Sequence, residues 1–180
     1  MKRRMATARG RILGTGRYLR LLDWEGWEYV ERHGVRGIVA IIAVTDDRRI
    51  VLVEQYRAAL DAQVIELPAG LAGDLPGAEQ EDLAVAARRE LLEETGYAAA
   101  TLDLLFDGPL ASGLSCTLIT YFRARGLQKV HAGGGDELED IVVHEVPLAT
   151  ADKWLAAQRA RGCLVDPRLY VGLHLAAGRP

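Results

Sequence analysis

The sequence predicts an α/β domain, and three observations carry that expectation. Two runs rich in β-branched residues, GIVAIIAV (37–44) and RIVLVEQY (49–56), have the composition of buried strands. One strongly helical stretch, roughly Glu79 to Glu94, follows them and stops before Gly96, a residue suited to the left-handed position after a helix. Strand-like segments then lead into a C-terminal part with two helical patterns. With 180 residues, 49% of them hydrophobic and 26% charged, the chain is long enough for one globular core.

Residues 1–36 read as an N-terminal hairpin region. Tyr18, Leu19, Leu21 and Leu22 form an apolar stretch, Trp24 to Gly26 a turn, and Trp27 to Val30 the returning strand. The basic residues Lys2, Arg3, Arg4, Arg9 and Arg11 make either a nucleic-acid arm or a short solvated terminus. The net charge of −3 argues against a general polyanion binder, so no nucleic-acid partner is expected. Residues 37–180 form the main domain. Its first two strands flank the polar turn Thr45 to Asp47 and are expected to pair as a central antiparallel hairpin.

VIELPAG (64–70) is a short strand ending in Pro and Gly, and LAGDLPGAEQ (71–80) is a loop by composition. In the helix, Leu83, Ala84, Ala87 and Leu91 give a small-residue apolar face able to lie close on a sheet. LDLLFDG (102–108), LITYFRA (118–124) and DIVVHEVP (140–147) read as strands, with a Gly-rich loop at His131 to Asp136. Helices are expected at Ala151 to Arg161 and from Asp166-Pro167 onward. The longest apolar run, Ile38 to Val44, is too short to span a bilayer, so no membrane partner is expected. Cys116 and Cys163 form no CxxC pair, which fits a reducing cytoplasm and buried, inert thiols.

The chemistry concentrates in Glu81 to Tyr97, EDLAVAARRELLEETGY. On a helix, Glu90, Glu93 and Glu94 stand at i, i+3 and i+4 and share one side of its last turns. Anions there repel one another and oppose the helix dipole, each by ~0.3–1 kcal/mol. Arg88 and Arg89 offset only part of that charge. Either this is a solvated acidic face with salt bridges, or hard divalent cations complete the balance. Mg²⁺ suits such a cluster because it prefers carboxylate oxygens, waters and substrate phosphates.

The wider pattern decides between the two. R-E-L-L-E-E-T-G-Y (Arg89 to Tyr97) resembles the second half of the Nudix box, G-x5-E-x7-R-E-U-x-E-E-x-G-U, and seven residues separate Glu81 from Arg89 as that box demands. E-L-P-A-G (Glu66 to Gly70) is similar to the strand end of the ADP-ribose pyrophosphatase branch. The resemblance covers most of the chain and implies a mixed β-sheet sandwiched between helices (α/β/α), with the antiparallel hairpin as an N-terminal extension. One departure is plain. Ten residues separate Gly70 from Glu81 where the box has five, and neither Gly73 nor Gly77 restores the spacing. Extra residues in a surface loop are thermodynamically cheap, so an enlarged loop beside an intact helix is expected.

By that resemblance Glu90, Glu94 and the backbone carbonyl of Ala69 would ligate Mg²⁺, with Mn²⁺ as its substitute, and Glu93 would serve a further ion. Arg89 would orient the carboxylates, with Glu81 completing the network and Gly70 and Gly96 supporting it. The general base would be Glu139, after the segment Gly133 to Gly135, with Asp136 and Glu137 as near neighbours and Glu93 as the other choice. Trp27 and Tyr18 would stack on the base of a nucleotide, one of them across a two-fold homodimer, or Trp24 and Trp27 simply cover the hairpin. Arg32 and Arg57 would meet the diphosphate or ribose, or are ordinary surface arginines, and Glu66 would support the pocket. SGLSCT (112–117) resembles a substrate-side loop, and the tail VDPRLYVGLHLA (165–176) a structural terminal helix.

The activity so implied is hydrolysis of the diphosphate of a nucleoside diphosphate sugar, above all ADP-ribose to AMP and ribose 5-phosphate. GDP-sugars, dinucleotides and dinucleoside polyphosphates are the alternative substrates. A sensor that binds a nucleotide sugar without turnover is the alternative of another class, and the intact set Glu90, Glu93 and Glu94 argues against it.

Overall fold

The computed structural model describes residues 9–135 and 140–178; among them are eleven strands and three α-helices. In chain order the strands are β1 (Arg11–Thr15), β2 (Leu19–Trp24), β3 (Trp27–Arg32), β4 (Gly37–Ala43), β5 (Arg49–Arg57), β6 (Ala62–Glu66), β7 (Ala69–Ala72), β8 (Tyr97–Pro109), β9 (Leu118–Lys129), β10 (Ile141–Pro147) and β11 (Leu164–Val165). The helices are α1 (Leu83–Thr95), α2 (Ala151–Ala160) and α3 (Arg168–Ala176).

The expected N-terminal hairpin is β2–β3. Trp24 faces Trp27 across a turn whose two residues, Glu25 and Gly26, have φ of 52° and 85°. Two positive φ values match the twist of the flanking strands. The sequence reading missed β1, which adds a third antiparallel strand. Its register shifts between Ile12 and Gly14, so it lacks the clean alternation that marks a strand.

The main domain holds two mixed sheets, ordered β7-β4-β9-β8 and β10-β5-β6-β11, with β4–β9 and β6–β11 the parallel pairs. The central hairpin expected from 37–56 is therefore corrected. β4 and β5 share no ladder beyond the single Val44–Ile50 bridge, because β7 and β9 occupy the edges of β4 while β6 and β10 occupy those of β5. The segment 64–70 likewise divides: β6 pairs with β5, the chain passes through Leu67-Pro68, and β7 joins β4.

Both sheets are covered on two sides, as α/β/α layering requires. Val39, Ile41 and Ala43 of β4 and Val51 of β5 pack with Ala86, Ala87 and Leu91 of α1. Ala40, Ile42, Ile50 and Leu52 face the opposite way, onto Leu155 of α2 and Leu169 of α3. Burial on both faces explains why these strands read as continuous apolar runs rather than alternating ones.

Helix α1 begins later than the expected Glu79. Asp82 caps it, its side chain accepting from the Ala84 N–H at 2.8 Å, while Glu79 accepts from the Gly77 N–H within the preceding turn. Gly96 ends the helix at φ 72° and donates to the Leu92 carbonyl; a Cβ there would lie 2.0 Å from the His131 oxygen. β8 and β9 run longer than their sequence signals, pairing from Tyr97–Lys129 to Pro109–Leu118. Among the described residues no helix is long and apolar enough to cross a membrane. Cys163 is buried and Cys116 half-buried, and both are free thiols.

Candidate active site

The small residues of α1 let it lie close on the sheet, and one tight contact is with Gly70 of β7. Gly70 sits against the Glu90 carboxylate so tightly that a Cβ would fall 1.9 Å from its Cδ. A side chain at this position would collide with that carboxylate, so the close approach requires glycine. The Leu71 N–H donates to Glu90 Oε1 at 3.2 Å and the Ala69 N–H to Glu94 Oε2 at 3.0 Å. Glu94 is almost fully buried, at 2% exposure.

Arg89 holds the carboxylates together. Its Nε and Nη2 donate to the two oxygens of Glu81 at 3.1 and 3.2 Å, a two-pronged pairing. Nη1 reaches Glu90 and Glu93, each at 3.0 Å, and Nη2 also meets the Leu71 carbonyl at 2.9 Å and Asp74 at 3.4 Å. Burial works against its charge, but Glu81, Glu90 and Glu93 outweigh that and raise its pKa. Arg88, which the sequence suggested would share the work, turns away to the Ala99 carbonyl. A single guanidinium thus serves four acids.

The surplus of negative charge shows in Glu90. Burial pushes its carboxyl up to about 7; Arg89 pulls it down, while Glu93 and Asp74 push it further up. Glu81 is the reverse case, held below the usual range chiefly by its hydrogen bonds to Arg89, against the opposing effect of burial. Among the described residues no three acidic, histidine or cysteine side chains form a ready-made metal cage. The set offers carboxylate oxygens pinned by protein hydrogen bonds and bordering a cavity. That suits a hard cation retaining waters or phosphate oxygens better than one enclosed by protein.

A cavity of about 670 Å³ opens beside this cluster and collects most of the sequence-predicted residues: Arg32, Arg57, Glu66, Ala69, Gly70, Arg89, Glu90 and Glu93. At one end Arg57 clamps Glu66 with Nε at 2.7 Å and Nη2 at 2.6 Å. Burial raises the pKa of Glu66 against the pull of Arg57. The cavity does not gather every expected residue. Glu94 lies outside its lining, as do Tyr18 and Trp27, which sit on the small N-terminal sheet with Trp27 at 62% exposure. SGLSCT is engaged with β3 instead, through Val30 N–H to the Leu114 carbonyl at 2.8 Å. Glu139, with Asp136 and Glu137, lies outside the described residues.

Among the cavity residues that escaped the sequence reading are Asp74, Leu75, Asp166 and Arg168. The start of the terminal segment therefore also lines the cavity. Arg168, at the start of α3, pairs with Asp166 and reaches Glu66 at 3.5 Å. The string D-P-R, with its proline at a helix start, was the available signal. Nothing local tied it to Glu66, whose strand joins β11 only through the parallel pairing of β6.

Comparison with known proteins adds a family. A family model for the NUDIX domain matches residues 35–164. The chain is 37% identical over 124 residues to the methanol dehydrogenase activator of Bacillus methanolicus, covering 68% of this chain and 64% of that protein. It is 37% identical over 138 residues to an ADP-ribose pyrophosphatase of Mycobacterium tuberculosis, covering 76% of this chain and 63% of that protein. It thus spans less than two thirds of the length of either relative. A crystal structure titled ADP compounds hydrolase superposes with a TM-score of 0.67 over 93% of this chain and 89% of the other, at 23% identity, a likeness of fold.

Proposed function

The chain belongs to the Nudix family, and from that premise we propose that it hydrolyses the diphosphate of a nucleoside diphosphate sugar in a Mg²⁺-dependent reaction. ADP-ribose, cleaved to AMP and ribose 5-phosphate, is the proposed substrate. The observation that carries this reading is the close fit of Gly70 on Glu90. A buried carboxyl pushed up to about 7 beside Glu93 and Asp74 is a group that a divalent cation would recharge.

Glu90, Glu94 and the Ala69 carbonyl are the proposed ligands, with Glu93 serving a second ion and Mn²⁺ able to replace Mg²⁺. When bound, the metal supplies Lewis-acid polarisation of the phosphoryl oxygens and lowers the pKa of a water. The remaining work falls to the protein's own side chains. Arg89, tied to Glu81, fixes where Glu90 and Glu93 point. Arg32 and Arg57 border the same cavity and offer guanidinium donors to the diphosphate. Glu66, held by Arg57, accepts from substrate hydroxyls. Glu139 takes the proton of the attacking water, with Glu93 as the second candidate.

Tyr18 and Trp27 are exposed on the N-terminal sheet beside Leu19 and Trp24. Exposed aromatics on such an edge support a homodimer in which they reach a partner's substrate. The test is AMP release from ADP-ribose with Mg²⁺, set against a panel containing GDP-mannose and a dinucleoside polyphosphate. ADP-ribose should be among the best substrates, and Glu94→Gln should lower kcat by about a hundredfold or more. Equal rates for Glu94→Gln and the unaltered protein would remove the metal assignment. A preference of about tenfold for another substrate, ~1.4 kcal/mol in the transition state, would replace the substrate.

A further inference from the structure

The enlarged loop after Gly70 is folded into the cavity wall. Its backbone is held at several points: the Arg36 N–H donates to the Ala72 carbonyl at 2.7 Å, and Arg36 Nη1 donates to the carbonyls of Gln80 and Glu81 at 2.8 and 3.0 Å. The Gly73 N–H donates to Glu81 Oε2 at 3.2 Å, and Asp74 Oδ1 lies 3.4 Å from Arg89 Nη2. Gly73 and Gly77 carry φ of 80° and 82°, so the turn of chain between them, Asp74-Leu75-Pro76, is set by residues that tolerate positive φ. The outcome is that Leu75 faces the cavity while 42% exposed.

Two more leucines do the same from unrelated elements. Leu60, in the turn between β5 and β6, is 58% exposed, and Leu164 on β11 is 45% exposed. Both line the same cavity, in which Arg57 pairs with Glu66, and Arg168 with Glu66 and Asp166. Three large apolar side chains that line a charged cavity stay partly in water until a ligand covers them.

We infer that Leu60, Leu75 and Leu164 form an apolar subsite for the nucleobase, and that the enlarged loop makes Leu75 a specificity-determining residue. The inference rests on the nucleotide-sugar reading for its ligand. It commits to the base because leucines offer neither donors nor acceptors to sugar hydroxyls, whereas Glu66, Asp166 and the two arginines do. A planar base buries a face on aliphatic carbon without demanding a partner for a polar group. Within one chain this subsite adjoins the carboxylate cluster through the cavity itself, whereas Tyr18 and Trp27 lie outside that cavity.

The test is calorimetric titration of AMP and of ribose 5-phosphate into the full chain and into Leu75→Ser, Leu60→Ser and Leu75→Met, with melting temperature recorded for each. Both serine variants should bind AMP about fivefold more weakly and ribose 5-phosphate unchanged, and Leu75→Met should retain affinity for AMP. Because the side chains are exposed, melting temperature should hold. Equal loss for both ligands, no loss for AMP, or no AMP binding by the unaltered chain would overturn the subsite. If ADP-ribose is not cleaved while AMP binding still depends on Leu75, the substrate reading fails and the subsite stands.

Discussion

Helix α1 and the N-terminal sheet use their residues in opposite ways. The helix buries charge: Glu90 and Glu94 are inside, and Arg89 answers Glu81, Glu90, Glu93 and Asp74 at once. The sheet exposes apolar surface: Ile12, Tyr18, Leu19, Trp24 and Trp27 are each more than 40% exposed. Each arrangement is unfavourable for an isolated chain. A buried, over-acidic cluster calls for cations, and exposed aromatics call for a covering surface. On the proposed function the molecule carries two unfinished regions, one completed by a small ion and the other by a second copy of the chain.

The sharpest way to break the contrast is Arg89→Ala. Removing the cation of a buried network leaves Glu81 and Glu90 with backbone N–H partners but no guanidinium, and ~3–5 kcal/mol of stability should be lost, read as the free energy of urea unfolding. A change under ~1 kcal/mol would mean that the cluster is solvated rather than buried. Gly70→Ala should come next. Its Cβ overlaps the Glu90 carboxylate, so overpacking of ~1–3 kcal/mol and loss of hydrolysis should accompany each other.

A smaller effect concerns pH. Glu90 has a folded pKa of about 7 against an ordinary 4.5, so in EDTA-treated protein its contribution to stability is present below about 4.5 and is lost as pH rises through about 7. Mg²⁺ should reverse that loss above pH 7, because a cation favours the ionised carboxylate. Melting temperature against pH, with and without Mg²⁺, reads it directly, and parallel curves would contradict the assignment. The smallest folding effect should come from Trp27→Ala. Chain stability should stay within ~0.5 kcal/mol, while sedimentation should shift from dimer toward monomer. Unchanged sedimentation would remove the interface from Trp27.

What was legible in the sequence was what is local. Arg89, Glu90, Glu93 and Glu94 lie within two turns of α1, and helical spacing puts Arg89 beside Glu93, while Glu81 reaches Arg89 from just before the helix. Gly96 was legible for the same reason. Strand existence was legible from composition, but strand partners were not. GIVAIIAV and RIVLVEQY looked like a hairpin, yet each finds its main partners far along the chain, β9 for one and β10 for the other. Arg168 and Leu75 stayed hidden because their meaning comes from which wall of the cavity they face, a property of tertiary packing. The enlarged loop was visible as a count of residues, but not as a wall.

The most direct measurement is calorimetric titration of Mg²⁺ into the full chain and into Glu90→Gln, whose amide keeps the shape beside Gly70 and removes the charge. The expected result is affinity weakened by about tenfold or more in the variant, with folding intact. Equal affinity for the two would contradict the account, since the carboxylate that Gly70 makes room for would then hold no cation.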